Sequence, residues 1–214
     1  MFQQLVTQYR ARLKALKLDT SRLRSPPPRL VFVTSNRDKV IEAKRILQAC
    51  GVQFKHLSLR YPEIQDSSLR KIALTSAISV YRRLRQPLFT EDSGLFIEAL
   101  GGFPGPYSSY VQETIGNIGI LRLMEGVRNR SSRFESVVAY VESPRKNQVF
   151  TGSVEGRISI EERGSRWGFD PIFIPSGTDL TFAEMGPEAK QKLSHRAIAL
   201  GKFASWLIEH GRKR

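Results

Sequence analysis

The chain has 214 residues, 40% of them hydrophobic, and a formal net charge of +14 at pH 7. That length suits one globular core, and because Arg, Lys, Gly or Pro interrupts every apolar run, no stretch reaches the roughly 18 uninterrupted apolar residues of a membrane span. Cys50 is the only cysteine, which excludes an intrachain disulfide and fits a reducing, cytoplasmic setting, while His56, His195 and His210 lack zinc-site spacing.

The positive balance points to a polyanion, whether nucleotide, nucleic acid or anionic lipid. Residues 1–29 carry seven Lys or Arg against the single acid Asp19, ahead of the rigid Pro26-Pro27-Pro28. They are expected to be a basic extension to a domain over 30–214. Phe2, Leu5, Val6, Tyr9, Leu13 and Leu16 recur at helical spacing, which suits a helix packed on the domain, a polyanion-binding arm or an organelle-targeting segment.

From Leu30 the pattern alternates strand and helix. An apolar strand over Leu30–Val33 is followed by a polar loop at Thr34–Arg37 and a helix with Val40, Ala43, Leu47 and Cys50 as its buried stripe, stopped at Gly51. A second strand is expected over Val52–Leu57, then a loop around Pro62 and a helix from about Ser67 to Arg85, ended by Pro87. Next come a short strand Leu88–Thr90, a turn at Asp92-Ser93-Gly94 and a strand Leu95–Leu100. A helix over Ser108–Glu125 precedes two strands near 133–142 and 148–160, joined as a hairpin around Ser143–Asn147. A last helix starts at Pro187 and buries Leu193, Ala197, Leu200, Ala204 and Leu207. The mixture implies an α/β protein with a partly antiparallel sheet.

Four stretches can carry chemistry. Thr34-Ser35-Asn36-Arg37-Asp38-Lys39 lies between a strand and a helix N-terminus, where backbone N–H groups and the helix dipole favour phosphate; an ordinary capped helix start has the same composition. Glu91-Asp92-Ser93-Gly94 follows a strand end and, with Glu63 from the loop around Pro62, offers hard oxygen ligands for Mg²⁺, although an Asp-Ser-Gly turn is common where nothing binds. Trp167-Gly168-Phe169-Asp170 can stack a base and fix a polar edge, or form a corner of the core. Lys190, Ser194, His195 and Arg196 cluster on the first turns of the last helix, with Lys190 and Ser194 on one face; Arg196 and His195 can donate to a purine carbonyl, and the alternatives are a solvated basic face or a His195 satisfied in the core.

Taken in order, these runs resemble the inosine triphosphate pyrophosphatase family from Leu30 to about Leu207. The resemblance is carried by VFVTSNRDKVIEAKRIL (31–47), EDSGLFIEALGGFPGPYSSY (91–110), RWGFDPIF (166–173) and TFAEMGPEAKQKLSHRAIAL (181–200). It implies two α/β lobes on a long mixed sheet flanked by helices, a central nucleotide-binding cleft and a homodimer. The implied activity is Mg²⁺-dependent hydrolysis of ITP, dITP and XTP to the monophosphate and pyrophosphate. By the same resemblance Thr34, Ser35, Asn36 and Lys39 cradle the triphosphate with Ser93 and Gly94. Glu63 and Asp92 hold the metal, and Asp92, kept ionised by metal and lysines, accepts the proton of the attacking water. Trp167, Gly168, Phe169 and Asp170 hold the nucleoside, while Lys190, Ser194, His195 and Arg196 close over base and phosphates.

Three positions depart from the family pattern. Ser35 replaces a glycine and would be strained if the turn needs positive φ. Ser76 stands where a phosphate-contacting lysine is expected, and Lys71, five residues earlier, faces about 140° away around the helix. Glu91 replaces the commoner Asp. A catalytically weakened nucleotide- or nucleic-acid-binding protein on the same fold is the alternative, and a pyrophosphatase of the septum-inhibitor type acting on modified pyrimidine nucleotides is a second.

Overall fold

In chain order the elements are β1 (Val31–Val33), α1 (Arg37–Ala49), β2 (Lys55–Leu57), α2 (Leu69–Leu84), β3 (Leu88–Ile97), β4 (Pro104–Gly105), α3 (Ser108–Thr114), α4 (Gly116–Leu123), β5 (Ser131–Ser143), β6 (Lys146–Ile158), β7 (Phe173–Pro175), α5 (Pro187–Leu193) and α6 (His195–Gly211). This computed structural model describes residues 30–211, so the helix expected within 1–29 lies outside the described residues. The strands form one mixed sheet in the order β2-β1-β3-β5-β6-β7, with β4 also pairing β3. β1 runs parallel to β2 and β3, and all other pairings are antiparallel.

Strand alternation sorts the core. Leu30, Phe32, Phe89, Val138 and Tyr140 point to α1 and α6, while Val31, Val33, Leu88, Val137, Ala139 and Val141 point to α2. A separate cluster of Leu95, Ile97, Val111, Ile120, Phe134, Phe173 and Phe182 fills the far end of the long strands. β3 and β5 run through both ends, which gives the two-lobed form.

β3 departs from the expected strand-turn-strand. Asp92-Ser93-Gly94 is the middle of one ten-residue strand, held by continuous pairing with β5 from Leu88↔Val141 to Ile97↔Ser132. Gly94 serves close approach rather than a turn: a Cβ there would lie 2.3 Å from the Gly105 carbonyl oxygen on β4. On the edge away from β5, β1 covers only Leu88 and Phe89 and β4 only Leu95 and Phe96. The polar centre of the strand therefore faces a gap between two lobes.

The helix expected over Ser108–Glu125 breaks at Ile115, where Gly116 takes φ 59°, into α3 and α4. The last helix is likewise two, interrupted at Ser194 with φ −71° and ψ 144°. That break turns Leu193 outward, 39% exposed, while Ala197, Leu200 and Ala204 are buried as expected. In α1, Ile46 takes the buried place expected of Cys50, which instead caps the helix. β2 begins at Lys55, later than the expected Val52. The hairpin is β5 and β6: β5 is longer than its sequence signal at both ends, and β6 keeps the expected length but begins and ends two residues earlier.

Candidate active site

A cavity of about 530 Å³ opens at the gap beside β3, lined by the turn after β1, the loop after β2, mid-β3, α3, the Trp167 loop and the α5–α6 junction. Of the residues singled out from sequence, Thr34, Ser35, Asn36, Lys39, Glu63, Asp92, Ser93, Gly94, Trp167, Gly168, Phe169, Asp170, Lys190, His195 and Arg196 all line it. Ser194 does not; its hydroxyl accepts from the Ala197 N–H at 3.1 Å and caps α6.

At the β1 end, Asn36 Oδ1 accepts from the backbone N–H of Asp38 at 2.9 Å and of Lys39 at 3.2 Å, so the ordinary helix cap is present. Ser35 is unstrained, since Arg85 is the one non-glycine residue with positive φ among those described. Lys39 Nζ reaches across the gap to β3, donating to the Glu91 carbonyl oxygen at 3.0 Å and pairing with Glu91 Oε2 at 3.1 Å.

Alternation along β3 separates its two acids. Glu91 and Ser93 face α6: Arg196 Nε pairs with Glu91 Oε1 at 3.2 Å, and Nη2 donates to Ser93 Oγ at 3.1 Å. Ser136 Oγ donates to Glu91 Oε1 at 2.6 Å. Thr90, whose hydroxyl donates to Ala73 O on α2, marks the opposite face, which carries Asp92. Burial opposes ionisation of Glu91, but Arg196 and Lys39 outweigh it and hold the carboxyl at about 2. For Asp92, burial wins over Lys39, Glu91 and Glu63 reinforce it, and the carboxyl is pushed up to about 6. Of the lowering expected from metal and lysines together, the lysine part alone is outweighed by burial, which leaves the carboxyl half-protonated near pH 6.

Glu42, one turn after Lys39 on α1, is a site residue that the sequence reading missed. It pairs with Lys190 Nζ at 3.2 Å and with Arg196 Nη1. Burial works against its charge, yet Arg196 and Lys190 hold it at about 2. Lys190 also pairs with Asp170 Oδ2 at 2.6 Å and is 3% exposed, so it is bound to two carboxylates rather than projecting free toward phosphates. Trp167 lies 5.4 Å from the Arg196 guanidinium and 5.6 Å from the Lys190 ammonium. Phe169 packs into the far core, and Gly168 O accepts from Asn117 Nδ2 at 3.2 Å.

His195 stacks on Phe134 at 4.6 Å with planes 9° apart. Burial, then the charges of Arg196 and Lys190, lower its pKa well below the usual value, so the ring is neutral at pH 7. Its Nδ1 has no hydrogen-bond partner among the described residues. Gly152 on β6 permits this seat, because a Cβ there would meet His195 O at 2.2 Å.

Residues 30–206 match the Ham1 family model. The chain belongs to the Ham1 family. It is 52% identical over 179 residues to a dITP/XTP pyrophosphatase of Methanopyrus kandleri, covering 83% of this chain and 95% of that one. Against a dITP/XTP pyrophosphatase of Thermococcus kodakarensis it is 51% identical over 183 residues, covering 85% and 98%. A HAM1 protein from Coxiella burnetii shares the Ham1 fold with TM-score 0.74 and 28% identity, covering 85% of this chain and 99% of that one. The family resemblance and the α/β fold read from the sequence both hold.

Five carboxylates (Glu63, Glu91, Asp92, Glu113, Asp170) and four permanent cations (Lys39, Arg60, Lys190, Arg196) line the cavity. A polyanionic substrate entering such a site needs additional positive charge. Among the described residues no three carboxylate, imidazole or thiol groups converge as a ready-made metal cage. Mg²⁺ requires less, since one or two carboxylates with substrate oxygens and waters suffice. Asp92, whose ionisation is disfavoured by burial and then by nearby carboxylates, and the exposed Glu63 fit that donor set.

Proposed function

We propose that this chain hydrolyses the non-standard purine nucleoside triphosphates ITP, dITP and XTP to the monophosphate and pyrophosphate, with Mg²⁺ as its metal. The observation that carries this reading is the convergence on one cavity of four distant segments, 34–39, 91–94, 167–170 and 190–196, in a chain 52% identical to a protein named dITP/XTP pyrophosphatase.

In the reaction, the oxygen of a water molecule bonds to the α-phosphorus as its proton passes to the Asp92 carboxylate. The bond between α-phosphorus and the bridging oxygen breaks, and pyrophosphate leaves with that electron pair. A carboxyl near pH 6 suits a base working around neutrality. Mg²⁺ held by Glu63 and Asp92 supplies positive charge against the triphosphate when bound. Lys39 adds a cation at the same end.

At the nucleoside end, Arg196 has five N–H donors; Nη1 donates to Glu42 and Nη2 to Ser93, while Nε faces Glu91 as an ion pair without a hydrogen bond. The remaining donors and neutral His195 suit the 6-carbonyl of a deaminated purine, whereas the 6-amino group of adenine would face donor with donor. Trp167 is suited to stack on the base. The exposed apolar side chains of the α3–α4 region, Phe103, Tyr107, Tyr110, Ile115 and Ile118, support a homodimer, which sedimentation would test. A cytoplasmic location is the companion proposal, supported by the single cysteine.

The test is pyrophosphate release from ITP, XTP, dITP, ATP and GTP, with Mg²⁺ and with EDTA. A metal-dependent preference of at least about tenfold for the deaminated purines over ATP, roughly 1.4 kcal/mol, is expected. No release from any of them in Mg²⁺ would sink the reading.

A further inference from the structure

The buried and half-buried cations of the cavity are all committed to carboxylates: Lys39 to Glu91, Lys190 to Asp170 and Glu42, Arg196 to Glu42 and Glu91. Arg60 differs. It lines the same cavity, is exposed, and makes no ion pair or side-chain hydrogen bond with any described residue. Its segment leaves β2 directly beside the phosphate-binding turn: Val33 pairs with Leu57, and the Thr34 N–H donates to Leu57 O at 3.2 Å. Three residues further on, the same segment carries Glu63. Along the chain, Arg60 thus lies between the Leu57 contact with the Thr34 turn and a carboxylate suited to the metal, and lines the cavity with both.

α2 contributes no residue, and so no cation, to the cavity lining. Ser76, where a lysine was expected, is 3% exposed on the sheet-facing side of the helix and does not line the cavity. Lys71 is tied to Asp66 at the helix start.

We propose that Arg60 is the cation that grips the outer phosphates of the substrate and the departing pyrophosphate, an assignment resting on the pyrophosphatase reading above. A guanidinium presents parallel N–H donors that match phosphate oxygens bidentately. An unpaired one surrenders no existing partner when the anion arrives, unlike Lys39.

The test compares wild type with Arg60→Gln and Arg60→Lys in Mg²⁺. It reads kcat and KM for ITP, inhibition by inorganic pyrophosphate and by inosine monophosphate, and calorimetric binding of inorganic tripolyphosphate. Arg60→Gln is expected to raise KM and weaken both pyrophosphate and tripolyphosphate binding about tenfold or more, the loss of one charge-assisted contact. Inosine monophosphate inhibition stays unchanged, and Arg60→Lys restores part of the loss. Unchanged pyrophosphate and tripolyphosphate affinities, or equal weakening of the monophosphate, would overturn the assignment. A wild type that binds tripolyphosphate through Arg60 but hydrolyses no nucleotide would refute the pyrophosphatase reading and support this contact.

Discussion

On the face of β3 turned to α6, Glu91 and Ser93 join Glu42, Lys190, Arg196 and Asp170 in a network where every buried charge has an opposite partner. On the face turned to α2, Asp92 is buried with Lys39 and the like-charged Glu91 and Glu63 nearby but, among the described residues, has no ion pair of its own; elsewhere in the cavity wall Arg60 likewise stands unpaired among them. One side is finished before substrate arrives and can hold a base in fixed geometry. The other is electrostatically unfinished and suited to a cation and a polyphosphate. The lesson is that a strand's alternation lets two adjacent carboxylates, Glu91 and Asp92, do different work.

The strongest way to break this contrast is Asp92→Asn. Loss of the proposed base is expected to cut kcat by about 10²–10⁴-fold. Asp92 has a raised folded-state pKa, so its contribution to stability is present below its unfolded value of 3.8 and lost as pH rises through about 6. Above pH 6 the asparagine variant should therefore be more stable than wild type, by on the order of 1–2 kcal/mol given the partly solvated cavity face. Urea unfolding at pH 7.5 without metal, a condition of roughly neutral pH chosen to keep Asp92 ionised, measures this; an unstable variant would place Asp92 in the paired network instead.

Glu91→Gln should do the opposite. Removing one member of a buried pair strands Lys39 and part of Arg196, at a cost of about 3 kcal/mol or more. Glu91 has a lowered folded-state pKa, so its contribution is present above the unfolded value of 4.5 and lost as pH falls toward about 2. The stability gap between variant and wild type should narrow as pH drops below about 4.5. A gap constant with pH would mean that the carboxylate charge is not what Arg196 and Lys39 hold.

Between these faces lies a test by pH and metal. The acid limb of kcat/KM should fall through the Asp92 carboxyl, near pH 6 at low Mg²⁺. Metal and proton compete for the same oxygens, so raising Mg²⁺ should move the limb to lower pH. A limb that stays put would separate Asp92 from the metal.

Much of this was legible in the chain. The strand-loop-helix start at Leu30 and the β5–β6 hairpin follow from pattern, and every site residue chosen from sequence except Ser194 reaches the cavity, whereas Arg60, Gln112, Glu113 and Phe134 in its wall belong to none of the chosen motifs. Asp92-Ser93-Gly94 has turn composition, and only tertiary pairing over ten residues with β5 makes it strand. Gly94 signalled the close approach of β4, which local sequence cannot distinguish from a turn. Glu42 was hidden because a charged residue in a helical run reads as solvated surface, although its spacing of three from Lys39 put both on one helix face. The break at Ser194 had a signal, since serine is a preferred helix N-cap, but the apolar periodicity running through it spoke louder.

Ser76 provides the smallest effect and the finest discrimination. Its hydroxyl is buried without a hydrogen-bond partner among the described residues, on the α2 face that packs against the sheet. A buried polar group left unpaired costs free energy that an apolar one does not. Ser76→Ala should therefore raise stability by up to about 1 kcal/mol and leave kcat/KM within about twofold. Ser76→Lys would force an ammonium beside Ala73 and Ala77, both no more than 1% exposed, and should lower the melting temperature rather than rescue phosphate binding. If the lysine variant instead melted like wild type and turned over ITP faster, α2 would have to present position 76 to the cavity, and Arg60 would lose its standing as the cation on that side.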